Sequence, residues 1–142
     1  MQNMTINEVL DRTPNGLHDA YLLGISTDYK ERTLRLELNW FVELPKDMAT
    51  EGWDGYRVGS LLIRGLRYCV VEAPQYGDGE APDQIHGCET KPEDIQRCKL
   101  PDVGDDVFRY SIYLYYWESF IHFAGTSAEV IPADLFVREM VA

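Results

Sequence analysis

The feature that most constrains the fold is an unbroken alternation of polar and apolar side chains over residues 33–40. The apolar positions are Leu34, Leu36, Leu38 and Trp40, and the polar positions are Thr33, Arg35, Glu37 and Asn39. Successive side chains of a β-strand point to opposite faces of a sheet, so this pattern predicts a strand with one buried and one solvated face. We therefore expect all four apolar side chains to face the core.

The residues before this strand predict its hairpin partner. Residues 17–27 are strand-like, and we expect Tyr21, Leu23 and Ile25 to share one face of that strand. The polar run at residues 28–32 is expected to form the turn between the two strands.

Two further stretches have the composition of strands. Residues 56–72 are interrupted by Gly59 and Gly65, which suggests a bulge or bend in a curved sheet. Residues 107–123 hold eight of the seventeen aromatic residues. We expect this stretch to turn near residues 118–119 and to pair back on itself.

Two short helices are predicted by a Thr-x-x-Glu pattern, which begins at Thr5 and again at Thr90. In such a capping box the threonine and glutamate side chains bond the free backbone N–H groups of the first helical turn. We place the helices at residues 5–12 and 91–98. The tail at residues 130–142 is compatible with both helix and strand.

These elements favour a β-dominated α+β fold, with one curved antiparallel sheet or half-barrel and the two short helices. A chain of 142 residues has the length of one domain. We expect residues 1–142 to form that domain, with an acidic, loop-rich excursion at residues 72–106. A segment of this length between strands is often functional or mobile.

The chain is strongly acidic, with 24 acidic and 13 basic residues and a net charge of −11. Residues 72–106 contain ten acidic and three basic residues, which is −7 of that total. Such a surface repels phosphates and anionic headgroups, so we expect no binding to nucleic acid or membrane. It attracts basic proteins, and we predict that the segment contacts such a partner. The alternative is that the charge only keeps the protein soluble. The candidate contact residues are Asp78, Glu80, Asp83, Glu89, Glu93 and Asp94.

The sequence favours a cytoplasmic protein. Its first residues, MQNMTINEVLDR, lack the basic region and apolar run that are typical of a signal peptide. No apolar stretch approaches the length of a membrane span. Three cysteines without a CxxC pair fit free thiols in a reducing compartment. The oligomeric state is left open.

No catalytic or cofactor signature is present. The chain lacks the GxxxxGK[ST], GxGxxG and GxSxG patterns. An EF-hand loop counted from Asp78 fails, because Pro82 and Asp83 occupy positions that need a ligand and a turn glycine. We therefore expect no cofactor and no catalytic residue, and an enzymatic role is disfavoured.

Two local sets of residues are candidates for a metal site or a proton-transfer site. His86, Cys88 and Cys98 are zinc-binding residue types, but their H-x-C-x9-C spacing lacks paired geometry, so we predict no metal and no stoichiometric zinc. His18 and Asp19 have the composition of a general-base pair. A strand-end histidine with local hydrogen bonds is the preferred interpretation.

Aromatic side chains offer a candidate ligand pocket. Tyr113, Tyr115 and Trp117 alternate on one face of the predicted strand, and Trp53 lies in a predicted loop. Tyr and Trp line cavities and interfaces, but a second core layer explains the same pattern and is preferred.

The stretch LHDAYLLGISTDYKERTLRLEL, residues 17–38, has a His-Asp pair at a strand start, a charged turn and an alternating second strand. It resembles the opening of small uncharacterised bacterial domains, some of which are placed among the immunity proteins of polymorphic toxin systems. The resemblance carries over no catalytic residue. It implies an acidic, non-enzymatic, partner-binding role.

Two function classes follow. The first is a non-enzymatic acidic protein that binds a basic protein, as an immunity-type inhibitor does. The second is a small-molecule module or enzyme with an aromatic pocket on the sheet. The first needs exposed carboxylates and no deep cavity, whereas the second needs a cavity on the concave face.

Overall fold

The chain folds mainly into β-structure. The computed structural model describes residues 4–13, 16–42, 55–75, 83–133 and 135, and in this part 51% of the residues lie in strands and 10% in helices. The elements in chain order are α1 (Ile6–Leu10), β1 (Tyr21–Asp28), β2 (Thr33–Phe41), β3 (Tyr56–Arg64), β4 (Tyr68–Val71), β5 (Asp83–Glu89), α2 (Pro92–Arg97), β6 (Phe108–Leu114), β7 (Ser119–Gly125) and β8 (Ser127–Ile131).

The strands form one open antiparallel sheet in the order β4-β7-β6-β5-β1-β2-β3-β8. Among the described residues, β1 pairs with β5 only at Tyr21↔Gln84 and Leu22↔Asp83. This short seam divides the sheet into a first half (β1, β2, β3 and β8) and a second half (β4 to β7). The expected antiparallel, β-dominated fold with two short helices is confirmed.

The inner faces of both halves share one core. Leu34, Leu36, Leu38 and Trp40 all have 0% exposure, so the predicted orientation of β2 is confirmed. The indole Nε1 of Trp40 donates to the carbonyl of Gly59 at 3.1 Å, which satisfies its buried polar atom. The second half contributes Ile85, Ile112, Ile121 and Phe123 to the same cluster.

The hairpin of β1 and β2 forms as expected, but the predicted face of β1 is wrong. The register shifts after Leu22, which is the signature of a β-bulge. Ile25 lies opposite the buried Leu36, whereas Tyr21 lies opposite Asn39 on the other face. The bulge breaks the strict period of two on which the prediction depended.

Both predicted helices are present, but their N-termini are capped differently. α1 has the predicted capping box between Thr5 and Glu8. The N-cap of α2 is Lys91, without a side-chain cap bond, so the capping box predicted at Thr90 is wrong. The Thr90 hydroxyl instead lies 2.7 Å from the Ser111 hydroxyl, on the neighbouring strand.

The acidic segment at residues 72–106 is less loop-like than expected. Residues 83–89 form β5, an internal strand of the sheet, which corrects the expected loop there. The physical reason is long-range pairing, because β5 takes its backbone partners from β6 and β1. α2 and the residues after it then cover the outer face of β4 and β7, in a second apolar cluster built around Tyr68, Leu100 and Ala124.

The bend expected in residues 56–72 occurs at Gly65, which has a φ of +61°. It separates β3 from β4 and carries the chain from the first half to the second. Gly59, by contrast, keeps regular register with Leu38. In the tail, β8 ends at Ile131, and residues 136–142 lie outside the described part. No helix among the described residues is long and apolar enough to cross a membrane.

Candidate functional site

Three of the predicted partner-binding carboxylates precede β5 in the chain or begin it. Asp78 and Glu80 are outside the described residues. Asp83 is the first residue of β5, where its backbone pairs with Leu22.

The other three predicted carboxylates lie around α2. Glu89 is exposed and accepts a hydrogen bond from the Asn7 amide at 3.0 Å. Glu93 is exposed in the first helical turn. Asp94 is buried, because its turn of α2 faces the sheet, and it pairs with Arg97 at 3.0 Å. The Asp94 side chain is therefore not available as an exposed contact for a partner.

The aromatic residues predicted to line a pocket are packed against other side chains. The Tyr113 ring lies 5.0 Å from the Phe120 ring and 5.4 Å from the Tyr115 ring. Trp117 packs against the main core from the turn between β6 and β7. Trp53 is outside the described residues.

The residues considered for zinc are not brought together. His86 lies on β5, and its Nδ1 is 3.1 Å from Nδ1 of His18. The Nε2 of His18 is 3.7 Å from the Asp19 carboxylate, and both side chains border solvent. Cys98, at the C-cap of α2, belongs to a different cluster.

That cluster consists of Glu72, Cys98 and His122, and we refer to it as the buried triad. Within the described part of the chain, it is the one group of three candidate ligands whose ligand atoms lie within 4.8 Å of one another. It lies between α2 and the outer face of the second half of the sheet.

The strands position the triad. In β7, Ile121 and Phe123 point into the main core, so His122 points to the opposite face, where it has 0% exposure. Glu72 follows β4, and its backbone amide donates to the Phe120 carbonyl at 3.0 Å, which fixes it beside β7. The ring of Phe120 stacks on the His122 imidazole at 5.4 Å.

Glu72 Oε2 is the centre of the triad. It lies 2.6 Å from His122 Nε2 and 3.3 Å from Cys98 Sγ. Arg97 also donates to this oxygen, at 2.9 Å, and the same guanidinium bonds Asp94. Cys98 Sγ is 3.7 Å from His122 Nε2.

A hydroxyl chain holds the other side of the imidazole. Nδ1 of His122 lies 2.7 Å from the Ser111 hydroxyl, which in turn lies 2.7 Å from the Thr90 hydroxyl. The ring is therefore held at both nitrogens, and its orientation is fixed.

The electrostatics favour an ionised carboxylate and a neutral thiol. Partial burial opposes ionisation of Glu72, but hydrogen bonds from Arg97, His122 and Cys98 outweigh it and lower its pKa to about 2. Burial and the neighbouring Glu72 carboxylate raise the pKa of the Cys98 thiol. A nucleophilic cysteine needs the opposite shift.

The triad also lacks the connectivity of a nucleophilic relay. In such a relay the nucleophile contacts one imidazole nitrogen and the carboxylate orients the other. Here Glu72 and Cys98 both contact Nε2 of His122, and Ser111 occupies Nδ1. The Glu72 carboxylate, at 2.6 Å, therefore occupies the imidazole nitrogen that a nucleophilic thiol would use.

Sequence reasoning missed the triad because its members come from three distant parts of the chain. Cys98 was grouped with His86 and Cys88, which are its neighbours in sequence but not in the cluster. One signal was available: His122 is the only polar side chain in the apolar run FIHFA. A histidine in such a run must satisfy both ring nitrogens on the buried side of a sheet.

No model of a known protein family matches the chain. No curated protein and no solved structure is detectably similar to it.

Proposed function

We propose that this protein is a non-enzymatic acidic binding protein for a basic protein partner, and that it acts as an immunity-type inhibitor. The supporting observation is the tightly packed inner face of the sheet. Leu36, Trp40, Ile112 and Phe123 belong to one core cluster there, each with 0% exposure. A small-molecule module of the kind considered above needs its cavity at that place.

The surface charge supplies the attraction to a basic partner. Exposed carboxylates in the described part of the acidic segment are Glu89, Glu93, Asp102, Asp105 and Asp106. Asp106 approaches a cation, Arg67, at 3.9 Å, but its side chain stays 77% exposed. Solvated carboxylates of this kind speed encounter with a basic surface more than they add to final affinity.

The buried triad is consistent with a non-enzymatic role, because the pKa of the Cys98 thiol is raised and Nε2 of His122 is already bonded by Glu72. A cytoplasmic location fits the three free cysteines. The net charge of −11 argues against nucleic acid and anionic membranes as partners.

The test is a binding measurement on an identified partner. A partner captured from the native host at low salt would be identified, purified and titrated against the protein by interferometry at increasing NaCl. We expect a basic partner whose association rate falls steeply with salt. An acidic partner, or an association rate independent of salt, would contradict the proposal.

Charge variants locate the contact. Asp78→Asn, Glu80→Gln and Asp83→Asn together remove three charges from the acidic segment, and we expect association at low salt to slow by about tenfold. The matched control, Asp11→Asn, Glu31→Gln and Glu118→Gln, removes three exposed charges elsewhere. Equal slowing in both variants would show that overall charge, and not this segment, steers binding.

A further inference from the structure

We propose that the buried triad of Glu72, Cys98 and His122 is a Zn²⁺ site with three protein ligands. It presents one carboxylate oxygen, one sulfur and one imidazole nitrogen to a common point. These are the three ligand types that zinc takes in proteins, and three protein ligands leave a fourth position for water. This inference is independent of the partner-binding proposal, and it reverses the expectation of a metal-free protein.

The distances between ligand atoms fit a tetrahedral ion. Zinc bonds of about 2.3 Å to sulfur and about 2.0–2.1 Å to nitrogen or oxygen give ligand–ligand separations of about 3.3–3.6 Å. Cys98 Sγ lies 3.3 Å from Glu72 Oε2 and 3.7 Å from His122 Nε2. Only the 2.6 Å contact between Glu72 and His122 must open, by about 0.7 Å, to admit the ion.

The surroundings already provide outer-shell partners for two ligands. A zinc-bound imidazole donates its other N–H to an acceptor, which fixes the ring. With Nε2 on the metal, His122 carries its proton on Nδ1. The Ser111 hydroxyl lies 2.7 Å from this nitrogen and can accept that hydrogen bond. Thr90 continues that hydrogen-bond chain. Arg97 donates to the Glu72 carboxylate, as outer-shell donors to ligating carboxylates do.

The site is also within reach of solvent. Glu72 and Cys98 are only partly buried, whereas His122 is buried. Zinc binding would displace the proton of the Cys98 thiol, because cysteine ligates the ion as a thiolate.

The experiment uses Co²⁺, which replaces Zn²⁺ in tetrahedral sites and is visible by absorption. The full chain is stripped with a chelator, dialysed and titrated with Co²⁺. We expect one equivalent to produce a sulfur-to-cobalt charge-transfer band together with intense visible d–d bands. Equimolar Zn²⁺ should abolish both. Zinc should also raise the melting temperature, because an ion that binds only the folded state stabilises it.

Variants assign the ligands. Cys98→Ser should lose the charge-transfer band and the zinc-dependent rise in melting temperature. Glu72→Gln should keep the band but weaken Co²⁺ binding by about tenfold or more. Cys88→Ser is the matched control, since Cys88 is also a partly buried thiol but lies outside the triad, and it should behave as the unmodified chain.

Three results would overturn the assignment. The first is folded protein that gives no charge-transfer band at one equivalent of Co²⁺. The second is a band that persists in Cys98→Ser. The third is a band lost in Cys88→Ser, which would place the metal on β5. Circular dichroism of each variant establishes that the protein tested is folded.

Discussion

Leu36 illustrates how single side chains stabilise this molecule. It lies at the middle of β2 with 0% exposure, opposite Leu61 on β3 and Ile25 on β1. Both halves of the sheet pack onto the same cluster, so the space left by a shortened side chain has few ways to collapse.

We predict that Leu36→Ala lowers the free energy of unfolding by about 2–5 kcal/mol, through lost burial and the cavity left behind. Urea denaturation followed by tryptophan fluorescence measures it. Leu23→Ala is the matched control, since Leu23 is 47% exposed, and its effect should stay within about 0.5 kcal/mol. Equal losses in the two variants would show that burial does not decide the effect.

Cys69 gives a pH prediction at the same scale. Burial raises the pKa of this thiol from 9.0 to about 11, so the folded state keeps a proton that the unfolded state releases. That contribution to stability is complete below pH 9 and is lost as the pH rises towards 11. Cys69→Ala should therefore flatten the decline of the unfolding free energy over this window.

Denaturant titrations from pH 8 to pH 11 would check the change in slope. Tyr29→Phe provides the control, because Tyr29 is 90% exposed and its removal should leave the slope as it is. A slope in Cys69→Ala identical to that of the unmodified chain would contradict the assignment of the thiol.

What the sequence predicts for a residue depends on whether its partners are local. The orientation of Leu34 to Trp40 is encoded within eight residues and is confirmed. The triad depends on β4, α2 and β7 meeting, and no local pattern specifies that meeting. The burial of Asp94 is not predictable for the same reason, since it depends on which side of α2 faces the sheet.

At the scale of elements, the passage from β7 to β8 is a close approach of two strands. Only Thr126 separates the two strands, and the chain crosses there from the second half of the sheet back to the first. A Cβ at Gly125 would lie 2.6 Å from Cγ2 of Ile63 and 2.9 Å from the carbonyl oxygen of Arg64. Because one of these neighbours is a backbone atom, a side-chain movement alone cannot make room for the added Cβ.

We predict that Gly125→Ala destabilises the fold by about 1–3 kcal/mol, the usual range for overpacking. Gly24→Ala is the matched control in another strand, because its added Cβ would meet only Glu37 Cβ, at 3.9 Å. That variant should be neutral or stabilising by up to about 1 kcal/mol. Thermal melts compare the two directly, and a Gly125→Ala protein as stable as the parent would contradict the close approach.

The two hairpins could be predicted from the sequence, whereas strand β5 could not. The β1–β2 and β6–β7 pairs join neighbouring segments, so alternation and turn residues are enough to indicate them. The strand DQIHGCE has a single strongly apolar residue, Ile85, and lies in an acidic segment. Its place in the sheet comes from backbone pairing with β6 and β1, and the pattern of its own side chains does not predict that pairing.

At the scale of the whole molecule, repulsion between like charges opposes the compact folded state. A net charge of −11 on a chain of 142 residues favours expansion by self-repulsion.

The open antiparallel sheet could be predicted from the alternation of polar and apolar residues. The order of its strands could not, because that order places β5 beside β1 and β8 beside β3.

We predict that the melting temperature rises by a few degrees when NaCl is increased from 0.01 M to 0.15 M. Over this range the screening length falls from about 30 Å to about 8 Å, which weakens repulsion between distant carboxylates. Differential scanning calorimetry measures the rise, and the variant neutralised at Asp78, Glu80 and Asp83 should show a smaller one. A melting temperature that falls with salt would mean that ion pairs such as Arg97–Glu72 outweigh the repulsion.

The pairing of β3 with β8 has a consequence for the order of events at the ribosome. β3 receives its outer neighbour only when residues 127–131 have been synthesised, after the entire second half of the sheet. At about 5–20 residues per second, the Leu61–Ile63 stretch waits several seconds for that neighbour. During this interval the nascent chain displays an unpaired apolar strand edge, which is the kind of surface that chaperones bind.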